Sequence, residues 1–293
     1  MSILKSDKIL NIRGVRKEDG NLVGGKGANL GELCSFGMPV PEAFCVTTNA
    51  YDAFLQEAEL QPKIEVLLHD LDMEDTDKLE QLSDKIKELF LQAEFPAELK
   101  EAILKSYTEG KYQEVSVRSS AVAEDLEGAS FAGQHDTYLN VTEEELLLSI
   151  KKCFASLFTA RVLLYRHDKG FSLANVKIAV VIQEMVEAKY AGVIFTINPV
   201  NKNRDEAVIE VVEGLGEKLV SGEVTPTTYI LRKADYSITV QQEMEAKLSA
   251  EQRKELIEYG TKIEEHYGKP MDIEFAIDAE NKVLILQARA VTA

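Results

Sequence analysis

The residues of this chain best suited to chemistry are a lysine, two arginines and a carboxylate–amide pair. Lys26 stands among glycines in Val23-Gly24-Gly25-Lys26-Gly27, ahead of a helix-forming run, Ala28–Ser35, that Gly37 is placed to cap. A lysine at a helix start can meet an anion, because the dipole and the unsatisfied N–H groups there already favour one. A glycine turn with a solvated lysine fits these residues just as well. Arg118 follows a β-rich run, Val115-Ser116-Val117, and opens the stretch VSVRSSAVAEDLEGASFAGQHDTYLNV. Gly128, Ala129, Ser130, Ala132 and Gly133 surround Phe131 there, and Tyr138–Val141 returns to strand-forming residues. Strand, small-residue loop and strand make a flap whose backbone could approach phosphate oxygens, since glycine has no Cβ. Taken alone the stretch reads more readily as a surface hairpin. It matches neither GxxxxGK(S/T) nor GxGxxG opening a helix.

The carboxylate–amide pair lies near the C-terminus. Met271–Ile277 and Val283–Gln287 read as two strands with Asn281 in the turn between them. Alternate residues of a strand share a face, so Asp272 and Glu274 point one way, and Gln287 and Arg289 can do likewise. Carboxylate plus amide oxygen is magnesium chemistry, the metal completing its octahedron from water and phosphate. A hairpin with one polar face is the plainer alternative, although Arg289 near the end of so apolar a strand fits it less well.

The remaining elements position these groups. Phe44-Cys45-Val46-Thr47 reads as a buried strand, and Thr48 as the cap of a helix over Asn49–Ala58. Helical spacing of Leu79, Leu82, Ile86, Leu89 and Phe90, and of Leu99, Ile103 and Leu104, makes 61–109 a set of helices packed on a sheet. Thr142 with Glu145 makes a capping box for the next helix, and Arg161 and Arg166 beyond it are expected at the surface. Lys177–Val186 is nearly continuous β-former and should be a central strand. It ends in Gln183-Glu184-Met185-Val186, whose backbone edges and thioether suit a purine, although a buried strand with a polar exit is the preferred reading of those residues alone. Strands follow at Gly192–Ile197, Ala207–Val212, Thr227–Leu231 and Ser237–Val240. Ser249 with Gln252 starts a long helix that Gly268 ends.

Composition narrows the classes of function. The chain has 293 residues, 45% hydrophobic and 28% charged, enough for two lobes with their own cores. A formal net charge of −17 argues against a nucleic-acid surface. It leaves room for a nucleotide, which needs only a few placed cations. No apolar run approaches a membrane span, and 1–11 does not resemble a signal peptide. Cys34, Cys45 and Cys153 are scattered and odd in number, so they read as reduced thiols of a cytoplasmic protein. His69, His135, His167 and His266 show no zinc-ligand spacing.

Taken together, VGGKGANLGEL, GMPVPEAFCVTT, the Arg118 stretch, VIQEMV, AGVIFTINP, GLGEKLVSGEVTPTTYIL and DIEFAI…LILQAR resemble the nucleotide-binding domain of the phosphoenolpyruvate synthase and pyruvate phosphate dikinase family, which the rifamycin phosphotransferases share. The segments run in order from Val23 to Arg289. The resemblance implies an α/β, two-lobed ATP-grasp fold that clamps ATP. Residues 1–186 would form an N-terminal lobe with the phosphate flap, and 187–293 a C-terminal lobe with the magnesium and phosphate residues. By the same resemblance Lys26 touches phosphates, Arg118 and Arg289 clamp them, and these three carry the catalysis. Gly133 and Thr137 belong to the flap. Gln183, Glu184 and Val186 hold adenine and ribose, and Glu274 and Gln287 bind Mg²⁺. A histidine would attack the β-phosphoryl group of ATP, giving phosphohistidine, AMP and phosphate.

The departures from the family pattern shape the expectation of partners. No histidine of this chain sits in the TSHA-like stretch that carries the family's acceptor, and His135 lies in the variable flap. Ala290 stands where the family commonly has proline after QAR, and the chain then stops. The expectation is an ATP-binding phosphotransferase module whose phosphohistidine-bearing domain or subunit is separate, with pyruvate or another small molecule as final acceptor. The alternative is an ATP-sensing module without transfer activity.

Overall fold

The computed structural model describes residues 7–69, 71, 73, 75–122, 137–220, 222–242, 244 and 246–291. The chain divides into two compact units, one of residues 1–31 and 42–185, the other of residues 32–41 and 186–293. The class is mixed α/β, and each unit is built on one antiparallel sheet.

In the first unit the chain runs β1 (Ile9–Asn11), α1 (Gly20–Ser35), β2 (Ala43–Val46), α2 (Thr48–Glu57), α3 (Leu60–His69), α4 (Thr76–Gln92), α5 (Ala97–Glu109), β3 (Val115–Ala121), β4 (Thr137–Val141), α6 (Glu143–Ala155), α7 (Ala160–Asp168) and β5 (Ile178–Glu184); the last turn of α1 falls in the second unit. The sheet order is β1-β2-β5-β3-β4, so the continuous β-former run at β5 is central. Phe44, Val46, Val115, Val117, Ile178, Val180 and Ile182 alternate onto one face and join the helices in a single core. Aromatic rings fill that core. Phe54 is fully buried, with ring centroids 4.7 Å from Phe95, 5.6 Å from Phe154 and 6.1 Å from Phe90.

In the second unit follow β6 (Ala188–Phe195), β7 (Glu206–Glu213), a single turn α8 (Glu217–Val220), β8 (Thr227–Arg232), β9 (Ile238–Gln242), α9 (Ala250–Tyr267), β10 (Met271–Asp278) and β11 (Val283–Ala290). The sheet order is β11-β10-β6-β7-β8-β9. Helix α9 packs on β6, β10 and β11, with Gly260 over Ile194 and Ile273. Ser249 and Gln252 form the expected capping box, and Gly268 closes the helix at φ 69°, the left-handed region that glycine enters without a Cβ penalty. His266 stacks on Phe36 at 4.0 Å and bonds Glu32 at 2.7 Å, which ties residues 32–41 to α9.

Three local expectations fail. Thr47, not Thr48, caps α2. Its extended backbone lets its hydroxyl accept from the Ala50 N–H, while Thr48 is already helical and donates to the Asn21 carbonyl at 3.1 Å. Thr142 is the cap residue of α6 but its side chain makes no capping bond, so no capping box forms; the Glu145 N–H goes to the Thr142 carbonyl instead. Arg166 is buried rather than at the surface, donating to the Leu157 carbonyl at 3.3 Å beside Tyr51, and burial lowers its pKa to about 10.

Phe54→Ala removes a fully buried ring from the middle of the aromatic cluster. Denaturant unfolding should show a loss of about 3–5 kcal/mol; a loss below about 1 kcal/mol would mean that the cluster does not hold this unit together.

Candidate functional site

The face of the first sheet turned away from the helix core carries the polar residues. Cross-strand partners share a face, so Thr137, Arg118, Val181 and Cys45 form one row, and Ser116, Gln183 and Ala43 the next. The start of α1 lies on this face. The Gly27 N–H donates to Ser120 Oγ at 3.1 Å, and a Cβ built on Gly27 would stand 3.6 Å from Val181 Cγ2. Gly24 breaks the helix at φ 69° and ψ 176°, so the helix proper begins there and Lys26 falls in its first turn. Only glycine fits this position, because a Cβ would run into the Ser120 carbonyl as well as demand a left-handed φ.

Arg118, Thr137 and Gln183 therefore share one face of the first sheet, and the first turn of α1, which carries Lys26, is held against that face. Lys26 and Arg118 are half-buried, Gln183 is buried and Thr137 is exposed. Glu184 alternates to the other side of β5 and is exposed, with its N–H bonded to the Glu42 carbonyl at 2.8 Å. Val186 lies past the end of β5, among the residues of the second unit. Gly133 and His135 lie outside the described residues.

In the second unit the register of β10 against β11 decides the site. Asp272 is opposite Arg289 and Glu274 opposite Gln287, so all four share the face away from α9. Arg289 Nε donates to Asp272 Oδ2 at 2.8 Å and Nη2 sits 2.7 Å from the same oxygen. The Arg289 side chain is 49% exposed and the Asp272 side chain 10%, so the carboxylate is the fixed post and the guanidinium the group it orients. Burial raises the Asp272 pKa, against the lowering effect of Arg289.

A β-bulge between Glu274 and Phe275 makes this arrangement possible. On the turn side of the bulge Phe275 pairs Ile285 and Ile277 pairs Val283. Continuing that register would set Leu286 opposite Glu274 and Ala288 opposite Asp272. Gln287 and Arg289 would then face α9. Leu286 is the extra residue that turns them round.

Sequence reasoning left two carboxylates out of the site. Alternation puts Asp272 on the right face but does not show that it holds Arg289. Glu210 is hidden in the sequence inside an apolar strand. Glu274 is opposite Val193 and Val193 opposite Glu210, so Glu210 completes the Glu274 row on the same face. Its signal, a lone acid in Ala207–Val212, becomes legible only with the strand order known. Burial, then the charge of Asp272, raise its pKa.

Glu274 and Gln287 suit a hard divalent cation: two oxygen donors on adjacent strands, directly opposite one another. Among the described residues no group of three His, Cys, Asp or Glu side chains could hold a metal. Among the described residues no helix is long and apolar enough to cross a membrane.

The sequence profile of the family described as pyruvate phosphate dikinase, AMP/ATP-binding domain, matches residues 20–248 and 236–293. The chain belongs to this family. Its relatives within the pyruvate phosphate dikinase ATP-binding family include a probable phosphoenolpyruvate synthase of Methanocaldococcus jannaschii, 44% identical over 94% of this chain and 26% of that protein. A probable phosphoenolpyruvate synthase of Archaeoglobus fulgidus is 43% identical, covering 97% of this chain and 41% of its own length. A rifampicin phosphotransferase of Bacillus subtilis is 37% identical, covering 98% and 36%. The chain thus spans well under half the length of these curated relatives.

The raised pKa of Glu210 has a testable sign. A carboxylate harder to ionise in the folded than in the unfolded state adds most stability below its unfolded pKa and loses that contribution as pH rises through the folded pKa. Glu210→Gln should therefore raise the melting temperature at about pH 7.5, the gain shrinking toward about pH 4.5. An equal effect at both pH values would remove the ionisation penalty as its cause.

Proposed function

We propose that this chain binds Mg·ATP and serves as the ATP-using part of a dikinase-type phosphotransferase. It would pass the β-phosphoryl group of ATP to a histidine on another domain or subunit, with AMP leaving the β-phosphorus and water taking the γ-phosphoryl group as phosphate. The observation that carries the proposal is the Asp272–Arg289 and Glu274–Gln287 register, which gathers a held guanidinium and a carboxylate–amide pair on one sheet face in a member of an ATP-binding family. In this reading the two units correspond to the lobes of an ATP-grasp fold, expected at 1–186 and 187–293, except that residues 32–41 belong with the second unit.

The roles follow from residue chemistry. Lys26, Arg118 and Arg289 supply fixed positive charge to phosphate oxygens, Asp272 keeping Arg289 in place. Thr137, at the start of β4, would lie at the base of the flap over the phosphates that the family resemblance implies; Gly133, expected in that flap, lies outside the described residues. Gln183, Glu184 and Val186 offer polar edges to adenine and ribose around the end of β5. Glu274 and Gln287 would hold Mg²⁺, which when bound neutralises charge on the phosphate oxygens. Phosphoryl transfer asks a protein for positioning and charge neutralisation more than for covalent chemistry. A neutral imidazole nitrogen attacks without a base, so this chain needs to supply none. The onward acceptor would be pyruvate or another small molecule, chosen by regions of the longer relatives that this chain does not span.

Thermal unfolding tests binding. At about a hundredfold excess over Kd, Mg·ATP should add roughly 2.7 kcal/mol, a rise of about 5–10 °C, and Arg289→Ala should abolish most of it. AMP release tests transfer: it should appear only when a histidine-bearing acceptor domain is added, and Arg118→Ala and Arg289→Ala should abolish it with the fold intact by circular dichroism. A thermal shift without AMP for any acceptor would leave a nucleotide-sensing module. No shift with ATP would sink both readings.

A further inference from the structure

The hydroxyl of Ser120 occupies a position that the functional reading does not use. Ser120 is fully buried on β3, two residues beyond Arg118, so the two share a strand face about 6–7 Å apart along the chain. Its Oγ donates to the Val23 carbonyl at 2.8 Å and accepts from the Gly27 N–H at 3.1 Å. One hydroxyl can do both, having one donor proton and two acceptor lone pairs. Val23 and Gly27 are the two ends of the turn that presents Lys26, and both are buried. The clip is reinforced by close approach: Gly24 lies so near the Ser120 carbonyl that no Cβ would fit between them. Ser120 thus caps the helix proper from a different strand, satisfying an N–H that the helix itself cannot.

We propose that Ser120 is the positioning residue for Lys26, its hydroxyl clamping both ends of the Val23–Gly27 turn and so fixing the lysine relative to Arg118 on the same strand. Ser120 touches no phosphate itself; it acts through the turn. The inference rests on the reading of Lys26 as a phosphate-binding residue.

A double-mutant cycle on Mg·ATP affinity, measured by calorimetry without any phosphoryl acceptor, tests it. Lys26→Ala should weaken binding, and Ser120→Ala should weaken it about five- to twentyfold, a size set by the two buried bonds it removes. In the Lys26→Ala background Ser120→Ala should add no further loss, because coupled residues are not additive. Ser120→Cys, which keeps a weak donor and acceptor in nearly the same volume, should recover part of the affinity. It also serves as the working variant should Ser120→Ala fail to fold. Full additivity, or unchanged affinity in Ser120→Ala beside a weakened Lys26→Ala, would overturn the positioning role alone. Wild-type affinity in Lys26→Ala would overturn the reading of Lys26 and the inference together.

Discussion

The two-residue period of paired antiparallel strands decides the company that most of the candidate site residues keep. A side chain's face is set by its register, and a slip of one residue sends it to the other side of the sheet. In the second unit one face belongs to α9 and must be apolar, as Ile194, Ile273, Phe275 and Ile285 are. The other face is then available for Asp272, Glu274, Gln287, Arg289 and Glu210. The bulge at Leu286 reconciles an unbroken apolar pattern near the turn with a polar pattern beyond it. Losing it would strand Gln287 and Arg289 against α9, where a guanidinium would face a steep desolvation cost.

The first unit solves the same problem differently. Its helices cover one face of the sheet with an aromatic-rich core, and the opposite face receives the start of α1. Arg118 is placed by strand register, while Lys26 is placed by a turn that β3 holds through Ser120. Rigid strands thereby position both basic groups, and the irregular backbone at Gly24 is confined to the one point where the chain approaches a carbonyl. A carboxylate enters here as a holder. Asp272 spends its charge on Arg289, and burial still raises its pKa because one half-exposed guanidinium does not replace the water it lost.

Much of this was legible in the residues. The periods of 3.6 and 2 locate most helices and strands, the Ser249–Gln252 box and Gly268 bound α9, and the order of the motifs points to the family whose profile the chain matches. The pairing of Asp272 and Glu274 on one face also followed from alternation. The errors share a cause. Thr47 and Thr48 are chemically equivalent caps, and only the backbone angle at the helix entry separates them. Arg166 follows an amphipathic run, and nothing local shows that its face turns inward.

Local chemistry therefore determined the inventory of this chain: which segments are strands or helices, which residues could meet phosphate and magnesium, and which family it belongs to. Tertiary structure alone decided the company those residues keep. Glu210 joins Glu274 because β6 lies between β7 and β10. Gln287 and Arg289 join the acids because one extra residue shifts a register. Ser120 meets Gly27 across 93 positions of sequence. These are contacts between segments distant in the chain, set by strand order and packing, and no local propensity or spacing encodes them.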